Sequence, residues 1–140
     1  MSEPTEEEVR AAVNRVVAGD ALRHSSQLIA FLRFVVEASL RGEANHIKEY
    51  TIAVEALGRG GDFDPRYDPI VRVEAGRLRR ALERYYAGDG ETDPIIIDVP
   101  RGHYIPAFRY RQIATAKPSG RKSFVEQMRS WLAIFTTRVR

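Results

Sequence analysis

Apolar residues in the first part of the chain recur at intervals of three and four, the spacing that places side chains on one face of a helix. A Thr5-x-x-Glu8 capping box precedes the first such run, and Gly19 stands where that helix would end. The second run follows the serine pair 25–26 and reaches Gly42. It carries the most apolar stripe of the chain: Leu28, Phe31, Leu32, Val35 and Val36. We therefore predict two helices, the second at the centre of the core.

A third run of apolar positions predicts another helix. It extends from about Ile47 to Gly58, and the spacing places Tyr50, Val54 and Leu57 on the same face as Ile47. We expect these four side chains to form one buried face, which needs a partner element to cover it.

Residues 58–68 are rich in glycine, proline and aspartate, which predicts a loop. The loop leads into the clearest helix start in the sequence, where Asp68 can cap free backbone N–H groups and Pro69 suits the first helical position. This fourth helix, 69–87, would end before Gly88. Its predicted buried face consists of Val71, Ala75, Leu78, Leu82 and Tyr85.

The opposite face of the fourth helix is cationic. On a helical wheel it holds Val73, Gly76, Arg77, Arg80 and Arg84. The two small residues at the start of this face would let the helix approach a groove closely. We expect the face to be exposed to solvent and open to a negatively charged partner.

Charge is distributed unevenly along the chain. The net charge is +3, but residues 109–140 hold eight basic residues and one acidic residue, so residues 1–108 carry −4. Against this acidic background, helix 69–87 carries five arginines and two glutamates. Pairs between its arginines and Glu83 would contribute only ~0.2–0.5 kcal/mol each. The local stripe of arginine, rather than the overall charge, therefore favours an anionic partner such as DNA.

A β-hairpin and a further helix are predicted after the fourth helix. Ile95–Val99 is rich in β-branched residues, Pro100–Gly102 forms a turn, and His103–Ile105 begins the return strand, for a hairpin over 95–108. Residues 112–122 have the composition of a linker, and 123–140 has apolar residues at helical spacing. This C-terminal amphipathic helix could form a dimer contact, cover the core of the domain, or lie on a membrane surface; we favour packing on protein.

Composition narrows the classes of function. The chain has no cysteine, and its three histidines lack metal-ligand spacing, so we expect no metal, no cofactor and no catalytic site. The acidic N-terminus does not resemble a secretory signal, and no segment approaches ~20 apolar residues. We expect a cytoplasmic protein without stable membrane insertion.

The order of elements, together with two sequence strings, resembles the winged helix-turn-helix DNA-binding domain of OmpR/PhoB-type response regulators. The strings are Val71–Glu83, with a Val-x-Val-x-x-x-Arg-Leu-Arg pattern, and Ile97–Tyr104, with a strand-turn-Gly-x-Tyr pattern. The resemblance covers about Ser25 to Arg109. It extends to stand-alone winged-helix modules that precede cyclase-like or repeat domains in bacterial proteins.

The resemblance implies that helix 69–87 enters the major groove of double-stranded DNA and that the hairpin acts as the wing. Val73 would touch a thymine methyl, Arg77 a base edge or phosphate, and Arg80 and Arg84 phosphates, while Arg101 would reach the flanking backbone or minor groove. The full set of expected DNA-binding residues is Arg72, Val73, Arg77, Arg80, Arg84, Arg101 and His103. The resemblance also implies that the 58–68 loop could touch RNA polymerase.

The chain departs from this family in two ways. A capped helix stands where the family has a receiver domain and a small sheet, so control by phosphorylation does not carry over. Glu74 occupies the position that usually reads a base, where it would repel phosphate or at best accept from a cytosine amino group.

We therefore predict a mainly α fold with a small β-hairpin: a winged helix-turn-helix with an extra N-terminal helix and a C-terminal amphipathic helix. The expected parts are an N-terminal capped helix at 1–20, a DNA-binding domain at 21–111, a linker at 112–122 and a C-terminal helix at 123–140. The expected function is transcriptional regulation by a non-enzymatic DNA-binding homodimer. The alternative is a protein-interaction adaptor that uses the 58–68 loop and the C-terminal helix.

Overall fold

The computed structural model describes residues 3–112, and within them the fold is mainly helical with one small β-hairpin, as the sequence predicts. The third helix, α3, is a single α-helical turn that continues into a π-helical stretch, and a 3₁₀ turn at Ala44–His46 precedes it. The elements in chain order are α1 (Glu6–Ala18), α2 (Ser26–Leu40), α3 (Glu49–Thr51 with Ile52–Ala56), α4 (Ile70–Ala87), β1 (Ile95–Asp98) and β2 (Ala107–Tyr110).

The first two helices begin with the caps that the sequence predicts. The Thr5 hydroxyl accepts from the Glu8 backbone N–H at 3.1 Å, and the Glu8 carboxylate accepts from the Thr5 N–H at 2.9 Å. This reciprocal pair satisfies two backbone donors that the first turn leaves free. At the start of α2, the Ser25 hydroxyl accepts from the Leu28 N–H at 3.2 Å.

The fourth helix follows the predicted pattern closely. It begins at Ile70, one residue later than predicted, and the Asp68 carboxylate accepts from the Ile70 N–H at 3.1 Å. A hydrogen bond of 2.8 Å from Arg59 holds the same carboxylate in place. The predicted buried face is confirmed, because all five of its side chains are at most 4% exposed.

The predicted buried face of the third helix is confirmed only in part, because Ile47 and Leu57 are buried but Tyr50 and Val54 are not. Tyr50 is 46% exposed, and its hydroxyl donates to the carbonyl of Gly61. Ile52 and Ala53, which the periodicity did not place on this face, are fully buried. The reason is the π-helical stretch, in which the Leu57 N–H bonds to the carbonyl five residues back rather than four. The wider turn changes the angle between successive side chains, so a periodicity of 3.6 does not apply.

The hairpin pairs β1 with β2 in antiparallel register, from Ile95 opposite Tyr110 to Asp98 opposite Ala107. The return strand begins at Ala107, four residues later than the predicted start at His103. Residues 99–106, called the hairpin loop below, connect the strands. The inner side chains of β1 are buried.

The first helix shares the core of the other elements. Val9 and Val16 are fully buried, and α1 packs against both α2 and β1. Residues 6–18 therefore belong to the same packed unit as the helices and hairpin that follow. The centre of this unit is formed by fully buried side chains of α2, among them Phe31 and Leu32.

A buried carboxylate joins α1, α4 and the start of β1. Arg15 donates two hydrogen bonds to Asp93, at 3.0 and 2.8 Å, and the Tyr85 hydroxyl donates a third at 2.8 Å. The backbone N–H of Ile95 donates to the same carboxylate. Gly90 lies against the Tyr85 ring so closely that a Cβ there would overlap it.

These hydrogen bonds control the ionisation of Asp93, whose side chain is only 2% exposed. Burial by itself would raise the pKa of Asp93, but the hydrogen bonds from Arg15, Tyr85 and the Ile95 N–H outweigh burial and hold this pKa below its usual value. Burial, reinforced by the hydrogen bond to Asp93, raises the pKa of the Tyr85 hydroxyl. The folded protein therefore holds Asp93 as a carboxylate and Tyr85 as a neutral donor.

None of the helices in the described part of the chain is long and apolar enough to cross a membrane. The predicted C-terminal helix, 123–140, and the predicted linker, 112–122, apart from Gln112, lie outside the described residues.

Replacing Arg15 with alanine should lower the free energy of unfolding by about 2 kcal/mol, because Asp93 stays buried and loses two charge-assisted hydrogen bonds. Arg23→Ala is the matched control. It removes an ion pair with Asp20 in which both side chains are more than half exposed, and such pairs contribute less than about 1 kcal/mol. Urea unfolding at neutral pH measures both. Equal losses in the two variants would contradict the assignment.

The Asp93 interaction also gives a pH dependence of known sign. Because the folded pKa is lowered, Asp93 contributes its full stability above the unfolded value of about 4, and this contribution is lost as the pH falls further through the folded pKa. Asp93→Asn removes the titration while other acids titrate in both proteins. The difference in unfolding free energy between wild type and variant should be constant from about pH 5 to 7 and shrink below about pH 4. A difference that grows in acid would refute this.

Candidate functional site

The face of α4 that points away from the core is formed by the residues that the sequence predicts. Val73 is 50% exposed, and Arg77, Arg80 and Arg84 are exposed beyond it. At 100° per residue these four side chains fall within about 60° of one another, and Arg77 and Arg84 lie roughly 10 Å apart along the axis. With Gly76 beside them, they are called the exposed face of α4 below.

The guanidinium groups of this face are weakly engaged by the protein. Arg77 has a single acidic neighbour, Glu74, at 3.7 Å, which is too long for a hydrogen bond. Arg84 donates to the carbonyl of Ala21 at 3.3 Å. Arg80 has neither an ion pair nor a hydrogen bond within residues 3–112, and its Nη1 lies over Gly76, 3.6 Å from where a Cβ would stand. Most of the donors on these three side chains therefore face solvent.

Glu74 does not occupy the position that the sequence suggests. Its side chain is only 9% exposed and points towards the interior, on the flank of α4 opposite the hairpin. A side chain buried in this way cannot read a cytosine, so that expectation is wrong, although the carboxylate still lies near Arg77. Glu83, the other acid of the helix, is exposed and has no ion pair among the described residues.

Arg72, an expected DNA-binding residue, ties α4 to its neighbours. It donates to the Glu49 carboxylate of α3 at 2.7 Å and to the carbonyl of Pro65 at 3.2 Å. Half of the side chain remains exposed, but its guanidinium is already committed to two acceptors. The structure thus places Arg72 between α3, the preceding loop and α4, beside the exposed face rather than on it.

Arg79 holds the hairpin loop against α4. Its Nε donates to the carbonyl of Val99 at 2.7 Å, and its Nη2 donates to the carbonyls of Pro100 and His103 at 3.2 and 3.1 Å. One guanidinium therefore binds both ends of the turn within the loop. A loop that bends back over this side chain cannot begin a strand at His103, which explains the late start of β2.

The hairpin loop presents two further expected DNA-binding residues to solvent. Arg101 is exposed, without an ion pair or hydrogen bond in the described part of the chain, and Gly102 next to it adopts a φ of 99°, which favours glycine. His103 is also exposed, and its Nδ1 accepts from the Ile105 N–H at 3.1 Å. Between the loop and α4 lies an open cavity of about 380 Å³, lined by Arg72, Arg79 and Arg101 among others.

The loop before α4 carries the most exposed aromatic residue of residues 3–112. Tyr67 is 80% exposed, and the Arg66 guanidinium stacks on its ring at 5.5 Å. Arg66 donates to the Asp64 carboxylate at 2.7 Å. This hydrogen bond holds the pKa of the Asp64 carboxyl below its usual range. The loop is thus internally bonded, and Tyr67 and Arg66 form a small exposed patch on it.

All seven expected residues are exposed; Val73, Arg77, Arg80 and Arg84 share one face of α4, and Arg101 lies on the neighbouring hairpin loop. His103 joins them at the hairpin loop, while Arg72 is engaged in packing. Sequence reasoning did not assign Arg79, because its partners are carbonyls of a distant loop. The available signal was its position on the helical wheel, about 120° from Val73, towards one edge of the exposed face.

Within residues 3–112 no group of three or more histidine, cysteine, aspartate or glutamate side chains could hold a metal ion. Comparison of the chain with protein-family models, with curated proteins and with solved structures found no match.

Replacing Arg79 with alanine should lower the unfolding free energy by about 1–2 kcal/mol, because three carbonyls of the hairpin loop lose their donor. Relative to the wild type, amide hydrogen exchange should accelerate more in residues 99–106 than elsewhere in the molecule. Arg80→Ala, one position along, is the control and should change stability by less than about 0.5 kcal/mol. Unchanged exchange in the loop of the Arg79 variant would show that this side chain does not hold it.

Proposed function

We propose that this protein is a winged-helix regulator of transcription that binds double-stranded DNA in a sequence-specific manner. The observation that carries the proposal is the exposed face of α4: three arginines that the protein itself barely engages, next to a hairpin loop that adds Arg101. Guanidinium groups in this number, with so few internal acceptors, suit a polyanion better than solvent alone.

In this proposal α3, the loop 57–69 and α4 act as the helix-turn-helix, and the hairpin acts as the wing. A major groove about 12 Å wide admits one helix. α4 would enter it with Val73 and Gly76 leading, because both are small enough to permit close approach. Arg77 would reach a base edge or a phosphate, while Arg80 and Arg84 would contact phosphates on the same side of the helix.

The hairpin supports the same docking arrangement. Arg101 and His103 stand beside α4 on a loop that Arg79 fixes, so both cationic surfaces can meet the duplex together. Arg101 would contact the flanking backbone or minor groove. A homodimer through the C-terminal helix, 123–140, would add a second half-site and with it specificity, since one winged helix reads few base pairs.

A salt titration of the full chain tests the proposal, with a labelled duplex of about 30 base pairs and mixed sequence as the probe. If Arg77, Arg80, Arg84 and Arg101 each contact a phosphate, affinity should fall on the order of a hundredfold between about 50 and 200 mM salt. Arg77→Ala/Arg80→Ala should weaken binding at least about tenfold and make the salt dependence shallower by about two ions.

The matched control removes two arginines that lie away from α4 and from the hairpin loop. Arg33→Ala/Arg41→Ala takes the same charge from the α2 side of the molecule, where Arg33 bonds to Asn14 and Arg41 to Glu43. It should bind DNA nearly as the wild type does, and thermal unfolding should confirm that both double variants fold. Equal weakening in the two variants would mean that only net charge matters. Binding to a protein partner that ignores salt, without binding to DNA, would favour the adaptor.

A further inference from the structure

A second cationic cavity lies on the flank of α4 opposite the hairpin. It is a cavity of about 220 Å³ between α4 and the chain that leads into α2. Arg77, Arg80 and Arg84 all line it, and Ser25 and Ala21 form its other wall. The cavity is smaller than the pockets of about 300–1,000 Å³ that enclose whole small molecules. It suits a single charged group rather than a complete ligand.

The positive charge of this cavity favours an anionic group. No carboxylate lines it among the described residues. Glu74 lies 3.7 Å from Arg77 and offsets one of the three positive charges, and Asp20, beside the opposite wall, is engaged by Arg23 at 2.9 Å. About two positive charges remain unbalanced. Arginine's fork of donors matches the oxygens of a phosphate group.

The wall opposite the arginines includes Ser25, and the first turn of α2 follows it in the chain. The Ser25 hydroxyl caps α2 by accepting from the Leu28 N–H, and the N–H groups of Ser26 and Gln27 have no acceptor within residues 3–112. These two N–H groups therefore report on the immediate surroundings of Ser25.

We propose that this cavity binds one phosphate group, from a DNA backbone diester or from a free phosphate. The proposal in its DNA form rests on the function proposed above. A helix in the major groove has a phosphate backbone on each side. The hairpin loop lies on one flank of α4 and the cavity on the other, so each would meet a different backbone.

The test uses Ser25→Asp and Ser25→Asn in the full chain. Aspartate and asparagine cap helices as well as serine does, so both variants should unfold within about 3 °C of the wild type. They are nearly equal in size and differ in charge. The aspartate places a carboxylate beside the three arginines, where it competes with a phosphate, whereas the asparagine does not.

Inorganic phosphate is the first probe. Its binding is measured by NMR, with sodium chloride of equal ionic strength as the reference. Phosphate should shift the amide signals of Ser26 and Gln27 and the Nε–H signals of the three arginines in the wild type and in Ser25→Asn. In Ser25→Asp these shifts should be absent, or the apparent affinity for phosphate that they report should be about tenfold lower. Wild-type shifts no larger than those with chloride would overturn the proposal, even if the protein binds DNA.

The duplex of about 30 base pairs is the second probe and distinguishes the two sources of phosphate. If the cavity holds a backbone phosphate, Ser25→Asp should bind the duplex about tenfold more weakly than Ser25→Asn does, because only the aspartate adds a negative charge to the cavity. If Ser25→Asp binds DNA normally but loses inorganic phosphate, the DNA form is overturned and the free-phosphate form stands. If the wild type binds phosphate but no duplex, the function proposed above fails and the phosphate site survives.

Discussion

The structure depends on one buried carboxylate. Asp93 accepts hydrogen bonds from α1, from α4 and from the first residue of β1, so α1, which is distant in sequence, meets α4 and β1 at two oxygen atoms. A charge with 2% exposure is tolerated only because every bond it needs is present. With the base of the hairpin fixed in this way, β1 can bury its inner side chains against α1 and α4.

The arginines of α4 show how position on one helix decides the role of a side chain. Arg79 faces the hairpin and binds three carbonyls, and Arg72 faces α3 and binds a carboxylate. Arg77, Arg80 and Arg84 lie on the exposed face, where the protein offers them few acceptors. The same residue type thus serves packing on one flank and leaves an open cationic surface on the other. A count of arginines in the helix overstates the surface that is open to a partner.

The two cationic surfaces are held in a fixed relation by the contacts between them. Arg79 links α4 to the hairpin loop through its carbonyls, and Arg72 links α4 to α3 and the preceding loop. A partner that touches both surfaces therefore does not have to order them first, which reduces the entropic cost of association. In the proposed complex with DNA, this prior order would let a small domain contact the major groove and a flanking backbone together.

Local sequence patterns predicted much of the fold. The capping box at Thr5, the Asp68 cap and the buried face of α4 were predictable because each depends on residues within one or two turns. The exposed positions of Arg77, Arg80 and Arg84 followed from the same wheel. The face of α3 was predicted only in part, because a π-helical stretch breaks the periodicity on which the prediction relied.

The sequence by itself determined the extents of α1, α2 and α4, the presence of a hairpin after them and which face of α4 is cationic. Only the tertiary structure decided that Asp93 is the junction of α1, α4 and β1, that Glu74 is buried, and that Arg79 serves the hairpin loop. The physical reason is range. Helix caps and amphipathic faces are set by neighbours a few residues away, whereas these side chains find their surroundings through packing of segments that are far apart in the chain.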